Sequence, residues 1–203
     1  MKYKYSLHEY KDYDEYVRLQ REENEKKRGW INVTSENIEA MSDYIVATSG
    51  QPHFGLCHGT RYGREQQYFK KYLNCKVLGT DICEKAGDSP NTIKWDFHNV
   101  KPEWIDNVDF IYSNSWDHSY APEKCLNAWM KCVKIGHLCI LEYTWMHQPE
   151  STSPSDPFGV DLELFPYLIL MWGKGRYAIT DIVLAPTGDD DKKRYFLMIK
   201  RFK

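Results

Sequence analysis

Between His53 and Asp81 the chain carries an order of elements that few folds accommodate. The run His53-Phe-Gly-Leu-Cys-His-Gly-Thr-Arg-Tyr-Gly63 joins a short apolar stretch to a small-residue turn, and the helix-like segment 64–73 follows. A second apolar run, Lys76-Val-Leu-Gly-Thr, then ends in Asp81. Strand, tight turn, helix, strand and acid is the layout with which α/β domains hold a nucleoside. Glycine lets the backbone approach the ligand, the helix start offers free N–H groups, and the acid accepts from ribose hydroxyls.

The rest of the chain continues the alternation. Strands are predicted near 92–95, 108–113 and 137–143, with a helix over 122–134. The runs Val108-Asp-Phe-Ile-Tyr and His137-Leu-Cys-Ile-Leu-Glu-Tyr are nearly continuous in apolar residues, as in strands buried on both faces of a parallel sheet. Gly87 and Pro90 argue for a short or irregular connection between Asp81 and Thr92. Two helices precede the first strand. One runs over 10–28 and closes at Gly29; the second is capped by Thr34 or Ser35 and has Ile38, Met41 and Ile45 along one face. Residues 149–158, with three prolines, read as a loop, and a helix is expected from about 160 to 172. Tyr177–Leu184 and Arg194–Arg201, around a Gly/Asp-rich turn at 186–192, read as a β-hairpin. The expected fold is α/β: a single Rossmann-like domain, mostly parallel sheet ending in an antiparallel β-hairpin, with two N-terminal helices. Residues 1–48 are read as a helical cap and 49–203 as the sheet domain, one compact unit.

Composition narrows the partners. A net charge of −2 gives no basic excess for a phosphate backbone, so no nucleic acid is expected. Mean hydropathy is −0.65, and the most apolar window, Leu162–Trp172, is short and holds Glu163 and Pro166. No membrane is expected, and the charged N-terminal sequence lacks a signal-peptide centre, so the protein is expected to be cytoplasmic. The six cysteines form no CxxC pair and read as small core residues in a reducing compartment. No metal-ligand spacing is present, and Asp189-Asp-Asp-Lys reads as a solvated turn. Five tyrosines in the first 16 positions fit either an aromatic lid or a helix face packed on the core.

Four motifs in this order carry a resemblance: the Gly turn, Asp81, Asp96 after Ile93-Lys-Trp, and Ser113-Asn-Ser-Trp-Asp-His-Ser-Tyr-Ala-Pro with Lys134-Ile-Gly-His137 beyond it. Together they resemble the class I S-adenosylmethionine-dependent methyltransferases, in their small-molecule, type 11-like branch. The likeness covers about residues 50–145, and the ends match by topology alone. It implies an S-adenosylmethionine cofactor, a small-molecule acceptor and a Rossmann-like methyltransferase domain. The implied cofactor-binding residues are Gly55, His58, Gly59, Thr60, Arg61, Glu65, Asp81, Ile82, Asp96, Phe97, Asn114 and Ser115. Of these, Asp81 would take the ribose, Ile82 the adenine face, Asp96 and Phe97 the adenine amino edge, and Asn114 and Ser115 the methionine side.

The sequence departs from the family at the turn. An acid is usual where Gly55 stands and a glycine where Cys57 stands, with a further glycine near Arg61. Arg61 is then read as pairing with the cofactor's carboxylate and Glu65 as orienting Arg61. Each residue also has a plainer reading. Asp81 could cap a turn, Asp96 could open one, and Trp116, Trp145 and Trp172 could be core or pocket wall. His58 is read as a backbone position rather than a catalytic group. His118, then Asp117 and His147, are the candidate bases for a hydroxyl acceptor such as a sugar. Two alternatives stand beside the methyltransferase: a cofactor-binding protein without turnover, and an NAD(P)-dependent oxidoreductase. The oxidoreductase is the weaker, since Gly55–Gly63 lacks GxGxxG spacing.

Overall fold

Apolar runs that need burial on both faces become the middle of a seven-stranded sheet. In the computed structural model, which describes residues 3–26, 32–188 and 192–203, the elements run β1 (Tyr5–Leu7), α1 (Tyr13–Lys26), α2 (Ser35–Ser49), β2 (Phe54–His58) and α3 (Arg64–Leu73). There follow β3 (Lys76–Asp81), β4 (Thr92–Lys94), β5 (Val108–Ser113), α4 (Pro122–Cys132) and β6 (Val133–Tyr143). The chain ends with β7 (Phe158–Val160), α5 (Phe165–Gly173), β8 (Tyr177–Leu184) and β9 (Tyr195–Arg201). The strand order is β4-β3-β2-β5-β6-β9-β8. The first five of these strands are parallel, and β9 and β8 return antiparallel as the terminal hairpin.

Alternate residues of each strand feed two cores. Leu56, Ile111, Leu141 and Leu197 pack on the face covered by α4 and α5. Cys57, Phe110, Ile140 and Met198 pack on the other, against Ile38, Met41 and Ile45 of α2 and Phe69 of α3. Of the two caps the sequence offers, Thr34 and Ser35, it is Thr34 that caps α2, accepting from Asn37 N–H. Cys57, Cys125, Cys132 and Cys139 are buried, Cys75 and Cys83 half-buried, and all six are free thiols.

Three expectations need correction. β6 starts at Val133 rather than 137, because the chain leaves α4 directly into pairing with Val108 across a bulge. The predicted 160–172 helix begins at Phe165, since residues 158–160 are spent on β7, which pairs antiparallel with β1. That two-stranded ribbon was not expected: its partners lie about 150 residues apart, and nothing local in either segment encodes the other. Between Asp81 and Thr92 the connection is a single short 3-10 turn, Glu84–Asp88. The end of the first helix at Gly29, and the Asp189–Asp191 part of the hairpin turn, lie outside the described residues. Among the described residues no helix is long and apolar enough to cross a membrane.

Candidate active site

β2 lies between β3 and β5, so the connections leaving the ends of β2 and β5 diverge to opposite faces of the sheet. A crevice at this point is where open α/β sheets bind ligands. The turn after β2 forms one wall. Gly59 and Thr60 N–H both donate to the Thr80 carbonyl, at 2.9 and 3.1 Å, which ties the turn to the end of β3. Gly59 has φ +73°, and a Cβ there would lie 2.6 Å from Ser115 Cβ, so this position requires glycine. Ser115 Oγ in turn donates to the Gly59 carbonyl at 3.2 Å and closes the crevice floor.

Both acids are engaged by neighbouring groups of the protein. Asp81, 5% exposed, accepts from Arg61 N–H at 3.0 Å and Cys83 N–H at 2.9 Å. It also stands 3.4 Å from Asn24 Nδ2 through each carboxylate oxygen. Asp96 accepts from Tyr13 OH at 2.7 Å and His98 N–H at 2.9 Å, and pairs with His98 Nδ1 at 2.7 Å. Burial pushes the Asp96 carboxyl up, but the His98 and Tyr13 bonds outweigh it and hold the group below the usual carboxylate range. Turn capping and ligand binding are therefore not rival readings here, because a carboxylate has lone pairs for both.

Two cavities meet at this crevice and share Gly59, Arg61, Ser115 and His118 as common wall. The smaller, about 50 Å³, holds Asp81, Ile82, Asp96 and Phe97 and is roofed by Tyr16, Gln20 and Asn24 of α1. The larger, about 250 Å³, is lined by Thr60, Glu65, Asn114, Asp117 and, from the loop after β6, Trp145, His147 and Asp156. Cofactor and ligand sites usually run to about 300–1,000 Å³, so a nucleoside at the smaller end requires α1 to yield.

The predicted catalytic pair lies on the larger cavity. His118 Nδ1 is 2.8 Å from Gln20 Oε1, and Gln20 Nε2 donates to the Ser155 carbonyl at 2.8 Å. That second bond fixes the amide's orientation, so Nδ1 carries the proton and Nε2 is the basic nitrogen. Nε2 points at Asp156 Oδ1, 3.3 Å away, and at Asp117 Oδ1, 4.0 Å away. One ligand atom from each of Asp117, His118 and Asp156 falls within 4.8 Å of the others, close enough to share a cation or a proton. Asp156 was not singled out from the sequence, where it reads only as part of a Ser/Pro-rich loop. His147 is tied into its own loop: its Nδ1 accepts from Thr144 N–H at 2.8 Å, and burial pushes it down to about 4.

Most residues expected from the sequence converge here, and two do not. Gly59, Thr60, Arg61, Glu65, Asp81, Ile82, Asp96, Phe97, Asn114, Ser115, Asp117 and His118 line one or both cavities. Gly55 is buried mid-strand beneath Phe110 and lines neither. The His58 side chain is turned into the core, stacked on Trp129 at 4.7 Å and joined to Thr80 Oγ1 at 2.8 Å, and burial pushes it down to about 3. Alternation along β2 sends that side chain away from the crevice. Trp116 and Trp172 are core, whereas Trp145 stands at the cavity. The N-terminal tyrosines divide as well: Tyr16 is buried beside the smaller cavity, and Tyr13 reaches Asp96.

No family model matches the sequence, and no curated protein does. Solved structures do match. The 1,6-didemethyltoxoflavin-N1-methyltransferase of Burkholderia thailandensis, solved with S-adenosylhomocysteine, is 12% identical with a TM-score of 0.70, over 99% of this chain and 95% of that one. The N-methyltransferase NodS of Bradyrhizobium japonicum WM9, also solved with S-adenosylhomocysteine, is 9% identical with a TM-score of 0.64, over 91% and 99% of the two chains. The [4+2]-cyclase SpnF is 10% identical with a TM-score of 0.61, over 81% of each chain. The sheet order, the terminal hairpin and these likenesses agree: the chain has the Rossmann-like fold that these two methyltransferases and the cyclase share.

Proposed function

We propose that this chain is an S-adenosylmethionine-dependent methyltransferase acting on a small-molecule acceptor. The observation that carries the reading is the pair of joined cavities at the switch point. Asp81, Ile82, Asp96 and Phe97 gather on the smaller, Thr60, Asn114 and Asp117 on the larger, and the bare Gly59 backbone separates them. The residues present suit the cofactor. A strand-end carboxylate suits vicinal hydroxyls, the glycine cradle suits close approach, and one Glu65 oxygen has no hydrogen-bond partner among the described residues. The neighbours solved with S-adenosylhomocysteine support the same cofactor.

When bound, the cofactor supplies an electrophilic methyl group. Asp81 accepts from the ribose hydroxyls, Asp96 and Phe97 meet the adenine, and Arg61 pairs with the carboxylate at the amino-acid end. His118, held by Gln20, accepts the acceptor's proton at Nε2, with Asp156 and Asp117 stabilising the imidazolium that forms. This geometry favours a hydroxyl acceptor, a sugar or a similar metabolite, because an amine that arrives deprotonated does not need a base. The covering role belongs to α1, since α2 is part of the sheet's own core. The 145–156 loop, through Trp145, Ser151 and Asp156, closes the acceptor side.

Calorimetry with S-adenosylhomocysteine tests the cofactor; no heat at high micromolar ligand removes the reading. A second reading has one observation behind it, a neighbour of this fold described as a cyclase. It predicts cofactor binding without transfer. Incubating the protein with a cell extract and labelled methyl donor, then seeking a new methylated species by mass spectrometry, separates the two.

A further inference from the structure

Phe110 decides what can stand at position 55. A Cβ on Gly55 would lie 2.1 Å from the Phe110 ring, which also packs on Phe69 at 4.8 Å. No acidic side chain fits there without displacing a core aromatic from β5. A carboxylate reaches the crevice instead from the first turn of α3. Glu65 is 7% exposed and lines the larger cavity beside Gly59, Thr60 and Asn114. Its Oε1 is 3.5 Å from Asn114 Nδ2, the outer limit of a hydrogen bond, and its Oε2 is buried with no hydrogen-bond partner among the described residues.

A buried carboxylate with an unused oxygen is an uncompensated group, and a cationic donor is what it lacks. Burial pushes Glu65 up to about 7 and Glu142 adds to the rise, while its own backbone N–H, Asn114 and Arg61 oppose it. Among the described residues no titratable group is hydrogen-bonded to that oxygen. On the sheet side stand Cys57, Tyr112 and Glu142. Tyr112 donates to Glu142 at 2.5 Å, and Arg194 is engaged with the same carboxylate at 2.7 Å. Asp117, His118 and His147 line the same cavity, and Arg61 and Arg64 flank Glu65 along the chain.

We propose that Glu65 receives the α-ammonium group of the bound cofactor, in place of the acid that Phe110 excludes at position 55. The assignment rests on the cofactor reading above. It makes Glu65 a ligand contact in its own right rather than a group that orients Arg61. The ammonium needs the ionised carboxylate. Below about pH 7, then, binding releases a proton from Glu65, and affinity rises with pH until that proton is already gone.

The test is calorimetry on wild type and Glu65→Gln with two ligands. One is S-adenosylhomocysteine; the other is 5′-methylthioadenosine, which has the nucleoside and sulfur but no amino-acid end. Wild type is expected to bind S-adenosylhomocysteine about tenfold tighter at pH 8 than at pH 6, with proton release at pH 6. Glu65→Gln is expected to bind it at least about tenfold more weakly than wild type at pH 8, with no pH dependence. 5′-Methylthioadenosine should bind both proteins alike, which also shows the variant folded. Equal binding of S-adenosylhomocysteine by the two proteins overturns the assignment, as does an equal loss for both ligands. No binding of either ligand to wild type overturns the cofactor reading itself.

Discussion

The two ends of the crevice are built differently. At the smaller cavity the acids sit where the sequence places them, already engaged by their own turns and roofed by α1. At the larger cavity Gly55 brings no side chain, Phe110 fills the space beside it, and Glu65 in the first turn of α3 brings a carboxylate to the wall. The floor of the smaller cavity is fixed by backbone, because Asp81 and Asp96 hold N–H groups beside strand ends, so few substitutions preserve them. The other end is assembled from side chains that reach in from several elements. Its chemistry can be relocated without altering the backbone.

The largest effect expected on this comparison falls between the two ends. With a hydroxyl acceptor, His118→Ala should lower methyl transfer by about 10²–10⁴-fold, with a much smaller change in S-adenosylhomocysteine affinity. A loss of less than about tenfold would point to an acceptor that needs no base. Asp81→Ala should weaken S-adenosylhomocysteine by about 1.5–3 kcal/mol, or roughly 10–150-fold, measured by calorimetry. Unchanged affinity would remove the ribose role and, with it, the contrast between the ends.

Glu65→Gln probes stability at the other end. The folded-state pKa of Glu65 lies above its ordinary value of 4.5, so the protonated form favours folding. The resulting destabilisation of the ligand-free protein sets in as pH rises above 4.5 and is complete above about 7. Relative to wild type, Glu65→Gln should therefore gain up to about 3 kcal/mol near pH 8 and nothing below pH 4.5, read from urea unfolding at both. The smallest effect is conformational. Because the smaller cavity is only about 50 Å³, S-adenosylhomocysteine should change amide exchange in α1 while leaving the central strands β2 and β5 unaffected. Unchanged exchange in α1 would mean that the roof stays in place.

Much of this was legible locally. Helix 64–73 and strands 76–81 and 108–113 have the predicted bounds, because turn residues and continuous apolar runs mark them unambiguously. Asp81 at the end of β3, and Asp96 and Ser115 two residues beyond β4 and β5, line the cavities at the places their strands predict. The His58 side chain was not legible, because strand alternation, which a turn motif does not display, sends it into the core against Trp129 and leaves only its backbone at the turn. Asp156 and the β1–β7 ribbon were missed because their partners are distant in the chain and leave no local signature.

The sequence by itself determined the order of the seven strands of the main sheet and of its helices, and the acids at the strand ends. Those are short-range matters of sterics, periodicity and turn chemistry. Only the tertiary structure decided that Phe110 occupies the space beside Gly55, that Glu65 faces the cavity with an oxygen to spare, and that Gln20 and Asp156 meet at His118. These depend on which side chains from separate elements share one volume, and packing is fixed only when the whole sheet and its helices have closed around it.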